Sequence, residues 1–233
     1  MSPILADDDG RPKLSKAAVV QRALKLADET GLDGLTIRKL AADLGVTPMA
    51  LYWHFRSKQD LLNGLAEQLW SEIEVTADPA KPWTTQLRSG LESLVSVLRA
   101  HQSGARLLMD HEAKNEASLV VTEAALEVLR SAGFNPEQAS EIARLAMWTC
   151  IMLVLSEVGF DPGMPEAARD EMLRTRRIGF SMLPPDKFPR MVECAVPMTN
   201  CDDPELHYQL GISVFMAGVE ALAPGGGGVS NIG

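Results

Sequence analysis

The sequence predicts an all-α chain, with a three-helix, helix-turn-helix unit at the N-terminal end and a larger helical bundle behind it. Three observations predict this. Residues 36 to 58 repeat apolar side chains at helical spacing on both sides of a glycine. From Trp83 onward, Leu87, Leu91, Leu94, Val95 and Leu98 form a second long stripe of the same period. The apolar run Cys150 to Leu155 could by itself be a strand, but it lies inside a periodic stretch of more than 20 residues, and length decides for a helix.

Residues 1 to 13 are polar, contain Gly10 and Pro12, and are expected to be a flexible arm. Arg11 and Lys13 would reach phosphates or a minor groove, or the arm is simply disordered. Ser15 caps a first helix whose inner stripe is Val20, Ala23, Leu24 and Ala27, ending at Gly31. Leu32 and Leu35 cross to a second helix, where Ile37, Leu40, Ala41 and Leu44 fall at i, i+3, i+4 and i+7. Gly45 ends it, since a glycine after the last turn takes a left-handed backbone without steric cost. Val46 tucks under that turn. Thr47 is an N-cap, Pro48 sits at the first helical position, and Leu51 and Phe55 face inward four residues apart. Helix, glycine turn, helix is the pattern whose second helix enters a major groove. Trp53 is expected to pack against the first helix.

Three short helices bury little, so the next must support them. Ser57 and Asp60 make a capping-box-like start, followed by Leu61, Leu62, Leu65, Leu69 and Trp70. This helix is expected to run to about Val75 and to link the two halves. Beyond the Pro79 and Pro82 break, helices are expected over 105–112, 116–131 and 136–158. A helix apolar on every side, as the last of these is, belongs at a bundle centre or a subunit interface. Prolines interrupt residues 159 to 200, where only 166–178 reads as continuous. Asp203, Pro204 and Glu205 open the final helix, and Gly211, Val214, Gly218 and Ala221 give it a narrow face for close helix approach. Four consecutive glycines follow Pro224, so 224–233 is expected to be a flexible tail.

Apolar residues make up 46 % of the 233, so the core is substantial and disorder is excluded. The net charge of −9 is unevenly spread. Residues 11–58 hold nine Lys and Arg against four Asp and Glu, a surplus of five, which leaves −14 on the remainder. A basic end on an acidic body orients a molecule on DNA. With no unbroken apolar stretch approaching 18 residues and an acidic start, a cytoplasmic chain with no membrane partner is expected. Cys150, Cys194 and Cys201 lack metal-type spacing and are expected to be reduced, with Cys150 a buried small hydrophobe. His101 and His111 fit no metal spacing and are expected at the surface. No Ser-His-Asp order, HExxH, phosphate loop or nucleophile elbow is present, so no catalytic residues, metal or cofactor are expected.

The run Gly34-Leu35-Thr36-Ile37-Arg38-Lys39-Leu40-Ala41-Ala42-Asp43-Leu44-Gly45-Val46-Thr47, then Ala50-Leu51-Tyr52-Trp53-His54-Phe55-Arg56-Ser57-Lys58 and Asp60-Leu61-Leu62, resembles the tetracycline-repressor family of bacterial transcriptional regulators. The likeness covers roughly 14 to 70. It continues more weakly through Trp83, Gly104-Ala105, Gly133-Phe134 and the final helix. It implies an N-terminal helix-turn-helix DNA-binding domain (14–60) and a ligand-binding, dimerisation domain (61–223), with the 136–158 and 204–222 helices of two chains forming the homodimer. Carried over residue by residue, Arg38, Thr47, Pro48, Met49, Ala50, Tyr52, His54 and Lys58 would touch double-stranded DNA. Arg38 and Lys58 suit phosphates or a guanine, and Pro48, Met49 and Ala50 offer apolar contact to thymine methyls.

Where the tetracycline repressor anchors drug and magnesium, this chain has Gly90, Leu94, Leu108 and Ala125, which supply no metal ligand. A mostly apolar pocket for an unidentified small-molecule effector is expected instead, lined by Trp70, Leu94, Leu108, Met109, Trp148, Ile151, Met152 and Leu155. Met147, Met152 and Met172 would adapt to varied ligands or fill the core. The resemblance implies a ligand-released repressor. A regulator whose second domain only dimerises, and an enzyme on a helical scaffold, are the other readings.

Overall fold

The computed structural model describes residues 15–101, 103–110, 115–157, 164–199 and 203–224. The arm, the tail beyond Pro224, His111 and Cys201 lie outside them. Among the described residues the regular structure is entirely helical: α1 (Lys16–Gly34), α2 (Ile37–Asp43), α3 (Pro48–Tyr52), α4 (Lys58–Glu72), α5 (Trp83–Ala100), α6 (Gly104–Asp110), α7 (Glu116–Ser131), α8 (Pro136–Leu155), α9 (Glu166–Ser181), α10 (Pro189–Glu193), a 3₁₀ turn (Pro197–Thr199) and α11 (Pro204–Leu222).

The helix starts follow from side-chain caps. Ser15, Thr36, Thr47, Ser57, Asn115 and Asp203 each accept a hydrogen bond from the backbone N–H three residues on. Asn135 and Gln138 complete a reciprocal capping box. Asp60 reaches one residue further back, accepting from the Arg56 N–H at 2.9 Å. Between α2 and α3, Gly45 has φ +67°. Its N–H donates to Ala42, and the Val46 N–H donates to Ala41 at 2.9 Å. This paired arrangement satisfies the last carbonyls of α2 and turns the chain sharply into α3.

α1, α2 and α3 close on Ala23, Leu24, Leu35, Leu40, Leu51 and Phe55, all fully buried or nearly so. α4 seals this small core with Leu61 and Leu65, and its other side packs on α5, α6 and α7. The apolar interior is therefore continuous from the helix-turn-helix into the bundle. α8 lies among α5, α6, α7 and α11. By length and composition it is long and apolar enough to cross a membrane, which the absence of an 18-residue apolar run did not anticipate. Its Ala139, Ile142, Ala146, Cys150, Ile151 and Val154 are instead buried by neighbouring helices.

Three expectations change. α4 stops at Glu72, because Ile73 takes extended backbone and turns its side chain into the core. The proline-rich stretch holds a longer α9 than expected, plus α10 and the 3₁₀ turn, and none of α9 is buried. The small-residue face of α11 splits: a Cβ on Gly211 would stand 2.3 Å from Leu153 Cδ2, so this glycine lets α8 of the same chain approach, while Val214, Gly218 and Ala221 stay exposed.

Cys150 is buried as expected, with its thiol against the Leu91 carbonyl at 3.8 Å. Burial without a charge partner pushes this thiol up to about 12. Cys194 is exposed. At pH 8 an alkylating reagent is expected to label Cys194 within minutes and to spare Cys150 until denaturant is added. Peptide mass spectrometry reads both, and rapid native labelling of Cys150 would contradict this packing.

Candidate nucleic-acid interface and ligand cavity

The helix-turn-helix divides cleanly into an inner and an outer side. Leu51 and Phe55 anchor α3 from within, and Phe55 lies under the ammonium of Lys16, 5.7 Å from the ring centroid. Thr47, Pro48, Met49 and Tyr52 are exposed, Ala50 and His54 half-buried, and Arg38 projects from α2 on the outside. Seven of the eight expected contact residues thus surround one short helix and its approach. Lys58 is exposed as well, but its ammonium already donates to the Leu32 carbonyl at 3.0 Å. It holds the α1–α2 turn to the start of α4 and has two further N–H donors.

Trp53 contradicts its expected packing: it is 85 % exposed. α3 ends at Tyr52, Trp53 follows as its cap, and the place against α1 is taken by Phe55. The exposed outer surface therefore includes an indole beside Tyr52.

A cavity of about 300 Å³ lies between α4, α5, α7 and α8. Trp70 and Ile73 come from α4 and its cap, Leu87, Gly90, Leu91 and Leu94 from α5, and Val121, Thr122, Ala125 and Leu126 from α7. Ser140, Ala143, Arg144, Ala146 and Met147 line it from α8, with Val75 and Val128 beside them. Of the eight expected lining residues, Trp70 and Leu94 are there and six are not. Leu108 is buried on α6 away from the cavity, and Met109 is exposed. Trp148 and Met152 are exposed on another side of α8, roughly 100° or more around the helix from Met147 at 3.6 residues per turn. Ile151 is fully buried, one turn beyond the cavity's end, and Leu155 is half-buried against the core. On α8, Ser140, Ala143, Arg144 and Met147 repeat at i, i+3, i+4 and i+7, a signal hidden by the helix being apolar all round.

The wall is almost wholly apolar. Arg144 supplies its one guanidinium, and this is already engaged by Glu141 one turn back. Gly90, Leu94 and Ala125, three of the four positions matching the drug–magnesium anchors, do line the cavity, and none can coordinate a cation. Among the described residues no three His, Cys, Asp or Glu side chains are placed to hold a metal ion. The residues present do not fit a magnesium chelate.

His101, expected at the surface, is instead a junction. Nδ1 lies 3.3 Å from Oδ2 of Asp28 on α1, and Nε2 lies 3.2 Å from Oε2 of Glu72 at the end of α4. Next to it, Ser103 donates its backbone N–H to Asp28 at 3.0 Å and its hydroxyl to the Ala27 carbonyl at 2.7 Å. The hydrogen bond with Asp28, opposed by burial and supported by both carboxylate charges, raises the His101 pKa above the ordinary value.

Residues 19–65 match the family model for bacterial regulatory proteins of the tetR family, and residues 76–223 match that for the tetracycline-repressor-like C-terminal domain. The chain belongs to the tetracycline-repressor family. It is 27 % identical to the tetracycline repressor protein class C of Escherichia coli, over 90 % of this chain and 92 % of that one. It is 35 % identical to the class A repressor from transposon 1721, over 64 % of this chain and 69 % of the relative. Among solved structures it is similar to ActR of Streptomyces coelicolor in complex with actinorhodin, with a TM-score of 0.74 and 27 % identity over 91 % of this chain and 97 % of that one. Membership in the tetracycline-repressor family makes the chain a transcriptional regulator of the DNA-binding, ligand-responsive kind, built as a helix-turn-helix unit on a helical regulatory body.

Proposed function

We propose that the chain is a cytoplasmic, homodimeric repressor that binds a palindromic operator and releases it when a mostly apolar small molecule occupies the α4–α5–α7–α8 cavity. Residues 14–60 would carry DNA binding and 61–223 ligand binding and dimerisation. The observation that carries this reading is the double service of α4: Trp70 and Ile73 wall the cavity, while Leu61 and Leu65 close the helix-turn-helix core. A ligand that displaces Trp70 moves the helix on which α1 to α3 are seated. Arg38, Thr47, Pro48, Met49, Ala50, Tyr52, His54 and Lys58 would form the operator surface. A coupling of about 1–3 kcal/mol between cavity and operator would lower operator affinity roughly 5–150-fold.

Dimerisation is supported by two adjacent exposed stripes. Leu145, Trp148 and Met152 on α8 lie beside Leu206, Leu210 and Val214 on α11, and an apolar patch of this extent marks an interface. A twofold dimer also presents two recognition helices to half-sites about one helical turn, roughly 34–36 Å, apart.

The test starts with duplexes selected by the protein from a random-sequence library. Actinorhodin is the first ligand to titrate, because it occupies the related ActR. An Ala125→Trp variant, which fills the cavity, is expected to keep operator binding and to lose ligand-driven release. A palindromic footprint, released by a ligand in the native chain and retained in A125W, supports the reading. A ligand that saturates the cavity and leaves operator affinity unchanged would leave a regulator whose second domain only dimerises.

A further inference from the structure

We propose that His101, Asp28 and Glu72 form a proton-operated clasp that sets how firmly the helix-turn-helix unit is held on the regulatory body, and through it makes operator binding pH-dependent. The operator half of this statement rests on the DNA-binding reading above; the clasp itself does not.

The three residues come from three separate places in the chain. Asp28 stands near the end of α1, Glu72 ends α4, and His101 caps α5 immediately before α6. One imidazole therefore joins the first DNA-binding helix, the connecting helix and the body of the bundle. Both carboxylates are also held in place. Asp28 Oδ1 accepts from the Ser103 N–H, and Glu72 Oε1 accepts from Gln68 Nε2 at 2.8 Å. The remaining oxygen of each faces the ring. Among the described residues these two carboxylates are the charged groups acting on His101 from α1 and α4, while Arg99 on its own helix is turned to Glu205 at 2.6 Å.

The geometry requires a proton. A neutral imidazole carries one N–H, so it can donate to Asp28 or to Glu72 but not to both. The other ring nitrogen would then point a lone pair at a carboxylate oxygen little more than 3 Å away. Only the imidazolium satisfies both sides, and the two oppositely directed contacts make this a bridge between helices rather than a chelating site. The sign follows. His101 is raised above its ordinary value of about 6.5, so the clasp contributes fully below that pH and is lost as pH rises through the higher folded value. Losing it removes one tie between α1, α4 and the α5–α6 corner and leaves the Ser103 bonds to Asp28 and Ala27 to hold α1. A dimer must place two recognition helices in register, so the added freedom lowers operator affinity.

Two measurements on the intact dimer test this. In the first, histidine ring resonances are followed by NMR from pH 5 to 9, and the His101 signal is identified by its loss in His101→Gln. It is expected to titrate above about 6.5 and to move down in Glu72→Gln, while protection of the Ser103 amide against hydrogen exchange falls across the same range. A midpoint at or below the free value overturns the clasp, whatever the chain does with DNA. In the second, affinity for a duplex selected from a random-sequence library at pH 6 is measured between pH 6 and 8. His54 belongs to the proposed operator surface in every variant compared, so the readout is the difference in pH slope between chains with and without His101. Affinity is expected to fall several-fold more between pH 6 and 8 in the native chain than in H101Q or in Asp28→Asn. An equal pH slope with and without His101 overturns the regulatory role. If no duplex is selected at any pH, the DNA-binding reading fails instead, and the NMR midpoint still decides the clasp.

Discussion

Phe55→Ala is expected to destabilise the helix-turn-helix by about 3–5 kcal/mol, the usual cost of removing a fully buried aromatic ring. Phe55 is completely enclosed, and it is the residue that returns the chain from α3 to the rest of the fold. A Cβ placed on Gly64 would stand 3.2 Å from its ring, so α4 is seated directly on the ring and loses that contact with it. The cation–π contact with Lys16 is lost with the ring. Whole domains are stable by only about 5–15 kcal/mol, so the loss takes most of the margin of this small unit. Urea denaturation at fixed protomer concentration checks it. A loss under 1 kcal/mol would mean that the pocket collapses around the alanine.

Val214→Glu is expected to weaken operator binding severely and remove its cooperativity without touching the operator surface. Val214 is 65 % exposed in the single chain and continues the Leu206–Leu210 stripe on α11. In an isologous interface every substitution occurs twice, so this one introduces two like charges into an apolar seam. Burying unpaired like charges costs several kcal/mol, which raises the dimer dissociation constant on the order of 100-fold or more. Sedimentation velocity at micromolar concentration should show a helical monomer, and the selected duplex should be bound weakly and without cooperativity. A variant that still sediments as a dimer would place the subunit contact elsewhere.

What the sequence revealed and what it concealed divide along the range of the interactions. Ser15, Thr36, Thr47 and Ser57 cap their helices through partners three residues away, and Gly45 turns the chain through partners three and five residues away. Such signals are complete within one short window. His101 finds its partners 73 and 29 residues away, and no spacing along the chain announces them. The cavity failed for a related reason. Periodicity shows that α8 is apolar on every side, but the face that meets α5 and α7 is chosen by packing, and Trp148 lies off that face. Trp53 misled because tryptophan usually hides in a core, and here Phe55 had already filled the space. The 159–200 stretch was opaque because α10 and the 3₁₀ turn are each a single turn long, too short for any repeat to show.

One helix, α4, belongs to two interiors at once, and this bears on the fate of the protein in the cell as much as on its switching. A chain whose bundle is damaged, by an oxidised methionine or a destabilising variant, does not persist as a free-standing DNA reader, because the reader's fourth wall goes with the bundle. Quality-control proteases then remove both halves together. Loss of regulation and loss of occupancy become the same event. Under the proposed repressor function, a truncated or misfolded copy would leave the operator open rather than permanently shut, a failure that derepresses the controlled genes instead of silencing them.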